Sequence, residues 1–492
     1  MIRYGIKSIM SKMDWTQIKN VIKSSKEHSI FILSTVLTSL AHFLFSIYVK
    51  MHIEPLEYGI YSTCLLLQTY MSYLQLGSLN AFNRDYSQLI GAKDNNKAKL
   101  YRDNVFTFII ITFLIAVLII CFGLLILHNT VSIDIKYILG FFLIAIITML
   151  TTIEHFGNYR VRIDKGFINV SIISLVELIS FPIGIYMVKW TGYYGIYLTT
   201  IISLIIGIVL YSKSAYFDIN FCIDREFLKK ILRSGMPLLI NGLVWTVVNS
   251  IDKFVILGCI NTEALGIYSI AQTAFTYMIL VPTSMSQLFY AKMGAIYGET
   301  KNKNDLTEKS EKFSFILAGL TSLMSLTAFF FLPIIVKTLM PGYVNGIHSA
   351  QILILGLSIY ATTMISGNIL TILRNNSAIL RSSIYMCVFN IICSLLYVKL
   401  IGAYIEMVAL GTATSYILCA FITIYQVNIC TGCGLWTLIK SSIIPVFITV
   451  IPATIIYFNV DSKLLGYTFS LIIILSCSYI IHGKYVKALI QK

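Results

Sequence analysis

From Asn104 to Leu127 the chain runs 24 residues without a charge. As an α-helix that stretch is about 36 Å long, enough to cross the ~30 Å hydrocarbon layer of a bilayer. Backbone N–H and C=O groups in hydrocarbon must be satisfied inside the structure, which restricts the fold to helices or a closed barrel. A continuous apolar run, rather than an alternating one, selects the helix. Comparable runs lie at 28–50, 58–79, 136–156, 167–188, 193–212, 236–258, 265–289, 313–337, 347–372, 380–398, 404–425, 439–458 and 464–481. The chain is therefore expected to be an all-α, polytopic membrane protein with 14 transmembrane helices. Only 12% of its residues are charged and its mean hydropathy is +0.81, whereas soluble domains carry about 25% charged residues.

The distribution of the basic residues orients these spans. With the N-terminus placed in the cytoplasm, 30 of the 37 Lys and Arg fall on the inner side. Cytoplasmic loops carry such an excess, so both termini are expected inside. The net charge of +15 is then a topology signal, and no nucleic-acid partner is implied. Residues 1–27 are studded with Lys and precede a full-length apolar run, which argues against a cleavable signal peptide. Ile6, Ile9, Met10 and Met13 share a helical face opposite Lys7 and Lys12, a pattern suited to the membrane interface.

A repeat organises the chain. "GIYSTCLLLQTYM" (Gly59–Met71) and "GIYSIAQTAFTYM" (Gly266–Met278) agree at seven of thirteen positions. Carried without gaps to Ile109, the offset of 207 gives 13 identities in 51 positions, among them Phe82/Phe289, Gly91/Gly298, Asn95/Asn302 and Phe106/Phe313. Farther on, Val188, Lys189, Gly192 and Tyr194 match Val398, Lys399, Gly402 and Tyr404. Six spans per copy is an even number, so the copies enter the membrane from the same side as parallel repeats. The expected organisation is an N-terminal segment 1–27, a six-helix lobe 28–212, a linker 213–234, a second lobe 235–425, and a closing helix pair with its tail at 426–492. Two such lobes are the layout of a rocking transporter with its site between them.

Motifs for other chemistry are missing. There is no Walker A, HExxH or GxSxG pattern to power export with ATP or to hydrolyse a substrate. Cys430 and Cys433 form a lone CxxC without the further ligands a metal needs. Nothing in the sequence calls for a catalytic residue, a metal or a cofactor.

The segment Gly235–Ala271 resembles the polysaccharide-transport flippases, the Wzx type, of the MATE-like MOP exporter superfamily. The similarity rests on Gly235, Pro237, Asp252, Lys253, Leu257, Gly258 and the run Gly266–Ser269, in that order. In the first half, "EPLEYGIYS" and "LGSLNAFNRD", ending at Arg84 and Asp85, are similar to the same family's second helix. The resemblance implies translocation of an undecaprenyl-diphosphate-linked oligosaccharide, such as an O-antigen or other surface-polysaccharide repeat unit, from the cytoplasmic to the outer leaflet. It further implies a bacterial inner-membrane location, alternating access, membrane lipids as surroundings and polysaccharide polymerase machinery as a partner. A MATE-type exporter of small molecules shares the two lobes but normally stops at twelve spans. A membrane polymerase or glycosyltransferase would need a long outer loop, and none is expected here.

Ionisable side chains within apolar spans need partners or water, because an unpaired charge at the bilayer centre costs about 2.5–3.5 kcal/mol even on insertion scales. Four residues stand out. Arg84, at the inner face, either meets a diphosphate or anchors topology. Asp252 and Lys253 lie near the outer end of the seventh span, with Asp252 facing a cavity or paired structurally and Lys253 reaching outward. Glu177, mid-span and five residues before Pro182, either carries a coupling proton or pairs with a cation. Glu154, His155, His42, Arg374 and Arg381 have blander readings as helix ends, a packed core histidine and topology signals.

Overall fold

A computed structural model describes residues 15–130, 134–215, 220–459, 467, 468 and 470. Within them every regular element is helical, and no strand occurs. Among the described residues, eleven helical segments are long and apolar enough to cross a membrane. The chain is a multi-pass membrane protein. The N-terminal interfacial helix, most of the fourteenth span and both termini lie outside the described residues.

The main helices are α1 (Trp15–His52), α2 (Pro55–Met71), α3 (Asn95–Thr130), α4 (Ile135–Lys165), α5 (Phe167–Glu177), α6 (Ser180–Thr191), α7 (Tyr194–Ala215) and α8 (Arg225–Cys259). They continue with α9 (Thr262–Met278), α10 (Leu280–Thr300), α11 (Lys303–Leu339), α12 (Ile347–Ile372), α13 (Asn376–Leu400), α14 (Ile405–Thr431) and α15 (Leu435–Asn459). Side-chain caps start several of them. Asn261 accepts from Ala264 N at 2.7 Å, Asn302 from Asn304 N at 3.0 Å and Asn375 from Ala378 N at 3.2 Å, each satisfying a donor the first turn leaves orphaned.

The repeat is written in the backbone as well as the letters. An offset of 207 carries α2 onto α9 end for end, 17 residues each. Left-handed residues close corresponding turns, Lys93 against Lys301 and Gly166 against Arg374. Gly192 and Gly402, matched in the sequence, also both have positive φ.

The copies part company just after the shared phrase. A continuous helix was expected over 58–79, but α2 stops at Met71 and the chain descends through short turns, with left-handed Leu76 (φ 49°) and Gly77 (φ 81°). The aligned residues Thr283 and Ser284 stay inside α10. Gly77 reaches φ > 0 at no steric cost, whereas Ser284 would not. Gln75 fixes the break by accepting from Leu79 N at 2.8 Å; its counterpart Pro282 has no N–H, which the first turn of a helix does not need. The long charged loop expected at 290–312 is mostly helix too, since α10 and α11 leave only Lys301 and Asn302 between them.

The chain divides into two compact units. Unit 1 holds the residues up to His52 and Cys64–Ile240. Its core stacks Phe82 on Phe156, ring centroids 4.7 Å apart, with Phe106, Phe113 and Ile231 around them. The linker is stitched to α3 of the same unit: Asp224 N donates to Asn104 Oδ1 at 2.7 Å and Cys222 N to Thr107 Oγ1 at 3.1 Å.

Unit 2 holds Ile53–Thr63 and the chain from Asn241 onward. Phe289, the repeat partner of Phe82, stacks on Phe313, the partner of Phe106, at 4.4 Å. Within this unit the two copies of the shared phrase meet reciprocally. A Cβ on Gly59 would strike Thr262 O, and one on Gly266 would strike Pro55 O. Thr262 is the repeat image of Pro55, so the contact maps onto itself, as a two-fold-related pair must. Small residues at such crossings let helix backbones approach closely.

Gly91 and Gly298, also repeated, have nothing within 4 Å of an added Cβ. Gly266→Ala is expected to lower stability by about 1–3 kcal/mol through overpacking. Gly298→Ala should be neutral or stabilising by up to about 1 kcal/mol. Thermal unfolding of the two variants in one detergent checks the contrast.

Candidate functional site

Three polar clusters are built into the apolar framework, two in unit 1 and one in unit 2.

Arg84 and Asp85 lie in a π-helical turn, Phe82–Tyr86. Such turns are frequent at functional sites. Arg84 Nε donates to Asp85 Oδ1 at 2.6 Å and Nη2 to Oδ2 at 3.3 Å, although the two residues are adjacent in the chain. Arg84 Nη2 also donates to Ser234 Oγ. Asp85 Oδ2 further accepts from Tyr101 OH at 3.0 Å and Ser234 Oγ at 3.1 Å. Arg84 is thus a half-exposed cation held by its neighbour, with side-chain exposure of 45% against 23% for Asp85. Around it, Arg162 Nη2 donates to Asn83 Oδ1 at 2.5 Å, Arg102 lies 2.8 Å from Asp103 and Arg160 lies 3.5 Å from Asp164. This end of unit 1 is rich in guanidinium groups.

The second cluster sits where the fifth span breaks. Pro182 cannot donate to Leu178 O, and the helix is interrupted at Leu178 and Ile179, leaving Glu177 as the last residue of α5. Its Oε1 is buried with no hydrogen-bond partner among the described residues. Gly207 of α7 makes the space: a Cβ there would land on Glu177 Oε1 and 3.4 Å from Glu154 Cγ of α4. Glu154 pairs with His155 at 3.2 Å, and nearby Tyr211 OH accepts from Asn158 Nδ2 at 2.9 Å. Among the described residues no cation pairs with Glu177; its neighbour is a second carboxylate.

The third cluster surrounds Asp252 of α8, 8% exposed in unit 2. Asp252 Oδ2 accepts from Tyr268 OH at 2.5 Å, while Oδ1 accepts from Thr412 Oγ1 at 2.6 Å and from Asn390 Nδ2 at 3.4 Å. Thr412 has a single hydroxyl proton, yet Asn390 Oδ1 and Val408 O also lie 3.2 Å from its oxygen. Ser394 Oγ completes the shell by donating to Asn390 Oδ1 at 3.0 Å. Three side-chain donors therefore surround a buried carboxylate, and no described cation forms a salt bridge with it. A buried carboxylate needs such donors, because a bare buried charge is too costly. Lys253, the next residue, is half-buried and forms no ion pair among the described residues. Neighbours in a helix point about 100° apart, so it serves a different face.

Sequence reasoning singled out Arg84, Glu177, Asp252 and Lys253 and missed most of their company. Tyr268 stood in plain view inside the repeated phrase, and its hydroxyl binds Asp252. Asn390, Ser394 and Thr412 were visible as polar residues in apolar spans, spaced four apart on α13 and aligned with α14 only by the fold. Glu154 was read as a helix end, and only the packing against Gly207 brings it to Glu177. Among the described residues no three His, Cys, Asp or Glu side chains are grouped to hold a metal.

A multi-pass helical chain with buried acids inside its bundles has the makings of a membrane transporter. The model of the polysaccharide biosynthesis protein family matches residues 24–290, more than half of the chain, and the chain belongs to that family. The polysaccharide-family resemblance read from the sequence is thereby borne out. No curated protein matches the chain in sequence. Among solved structures, a lipid II flippase, MurJ, in an inward closed conformation matches with TM-score 0.73 at 15% identity, covering 93% of this chain and 99% of that one. An inward-facing multidrug resistance MATE transporter of the MOP superfamily matches with TM-score 0.67 at 17% identity, covering 82% and 96%. A MOP-superfamily transporter from Pyrococcus furiosus gives 0.56 at 16% identity, covering 84% and 96%. At these identities the likeness establishes the fold.

Burial raises the Asp85 carboxyl, but hydrogen bonds from Arg84, Tyr101 and Ser234 outweigh it and hold the group below its ordinary value. A carboxylate lowered by folding contributes stability that is complete above its unfolded value and disappears as the pH falls through its folded one. Wild-type protein is therefore expected to lose more stability than Asp85→Asn between neutral pH and about pH 3. Parallel thermal melts across that range decide it.

Proposed function

We propose that the protein is a flippase that carries an undecaprenyl-diphosphate-linked oligosaccharide, an O-antigen or other surface-polysaccharide repeat unit, from the cytoplasmic to the periplasmic leaflet of the bacterial inner membrane. The observation that carries this reading is the coincidence of family and fold. A chain of the polysaccharide biosynthesis family is built over 93% of its length like a lipid II flippase, while the matches to a MATE transporter and to the Pyrococcus furiosus transporter cover 82% and 84% of it. The cargo moves without a bond being made or broken, so the protein is a transporter rather than an enzyme. Polymerase machinery on the outer side would receive the product.

In this account the cargo crosses by alternating access while the lipid tail stays in the bilayer. Arg84 and Lys253 offer cations to the diphosphate through charge-assisted hydrogen bonds. Arg84 is preset for the task, since Asp85 and Ser234 fix its guanidinium while leaving it half-exposed. Coupling draws on two buried acids. Asp252 has the oxygen shell that a proton or monovalent cation needs, and Glu177, beside Glu154, has the means to share a proton.

Depletion of the protein is expected to accumulate lipid-linked oligosaccharide on the inner leaflet; altered drug tolerance without accumulation would point to a small-molecule exporter instead. Asp252→Asn keeps the shape of the cluster and removes its charge, so it should abolish transport, with Thr412→Val reducing it by about tenfold or more, the cost of one lost hydrogen bond to a charge. Glu177→Gln should stop proton-driven transport. Transport by Glu177→Gln that matches wild type at every pH removes Glu177 from the coupling scheme.

A further inference from the structure

Four aromatic rings from four helices of unit 2 stand in series. Phe275 of α9 stacks on Tyr416 of α14, with centroids 5.9 Å apart and planes at 26°. Tyr416 leans on Tyr360 of α12 at 5.1 Å and 32°, and Tyr360 stacks on Trp245 of α8 at 5.8 Å and 22°. The inner rings are anchored: Tyr416 is 4% exposed, and Phe275 and Tyr360 pack on the cluster that contains Val248 and Cys419. Trp245 ends the series with 39% of its surface exposed. The stack backs the indole on the Tyr360 side, and the exposed share of Trp245 lies beyond that contact.

A lipid tail has no use for such a construction, because hydrocarbon makes no demand on ring orientation or on polar groups. A pyranose ring does. Its axial C–H groups pack on an aromatic face, and its hydroxyls need hydrogen-bonding groups at the edge. An amide stands at the right place. Asn249, one turn along α8 and half-exposed, donates Nδ2 to Trp245 O at 2.8 Å. Backing by three further rings removes most of the rotamer freedom that an isolated Trp would lose on binding. Asp252 lies two turns beyond Trp245 on the same face of α8, and its partner Tyr268 lies two turns before Phe275 on α9. The ladder and the acid cluster share their walls.

We propose that the exposed share of Trp245, edged by Asn249, is a platform on which a sugar ring of the lipid-linked cargo stacks. This rests on the flippase reading and adds the subsite that reads the saccharide rather than the diphosphate.

Replacing Trp15, Trp190 and Trp436 with Phe leaves Trp245 as the single reporter of the chain's four Trp. In reconstituted vesicles its emission is expected to be quenched by acrylamide and spared by brominated phospholipid. A polyprenyl diphosphate carrying a disaccharide should shift that emission and shield it from acrylamide, whereas the bare polyprenyl diphosphate should not. Trp245→Leu in the otherwise native chain should bind the glycosylated lipid roughly tenfold more weakly and the bare lipid as before, a difference that corresponds to about 1.4 kcal/mol. Trp245→Phe, which keeps a flat face, should retain most of the affinity. Quenching by brominated lipid, or equal shielding by the two lipids, overturns the platform while leaving the flippase reading intact. A folded wild-type chain that binds neither lipid overturns the flippase reading and the platform with it.

Discussion

Everything in this molecule follows from the rule that hydrocarbon supplies no hydrogen bonds. The rule makes every described element a helix, and it makes each departure from helix or from apolarity expensive. The departures are few and local. The turns after α2, the interruption at Glu177 and the oxygen shell of Asp252 are each satisfied by a specific neighbour or left open in a way that invites a ligand. At Leu76–Gly77 the neighbour is Gln75, whose side chain replaces a lost helical bond. At Glu177 the break is imposed by Pro182 and the space is made by Gly207. At Asp252 three hydroxyl or amide donors stand in for water.

Duplication is the second organising fact, and its value lies as much in where it fails as in where it holds. The glycines of the shared phrase are conserved between the copies because each Cα lies against the backbone of the other copy's helix. Phe82 and Phe289 recur because each anchors an aromatic core. Arg84 has Ala291 as its image and Asp252 has no acid image in the first copy, so each copy has acquired its own chemistry on a common frame. That asymmetry suits a carrier whose cargo has two unlike ends, a charged diphosphate and a neutral saccharide.

Much of this was legible from the letters, for physical reasons. The all-helical class and the helix positions come from long apolar runs, which are the strongest pattern a sequence holds. The repeat gave the register of α2 and α9 to the residue. What stayed hidden depends on helix rotation and on contacts distant in sequence. Nothing near Asp252 in the chain announces Asn390 or Thr412, because they reach it only when α8, α13 and α14 pack. Likewise the break after Met71 was read as continuous, since Leu76 is apolar and a left-handed Leu is rarely worth predicting; Gly77 and the amide of Gln75 were the available signals. Helical extensions beyond the apolar runs were read as loops because charge marks the membrane's edge, not the helix's end.

The central claim is that charge hidden inside these bundles drives a lipid-linked sugar across the bilayer. The most direct measurement is flipping in proteoliposomes that hold the purified chain and a polyprenyl diphosphate disaccharide in one leaflet, with lectin access reporting arrival in the other. The account predicts transfer that depends on an imposed proton or monovalent-cation gradient and that vanishes in Asp252→Asn. Transfer that proceeds unchanged in that variant, or a wild-type chain that moves small organic cations and leaves the lipid where it was, would contradict it.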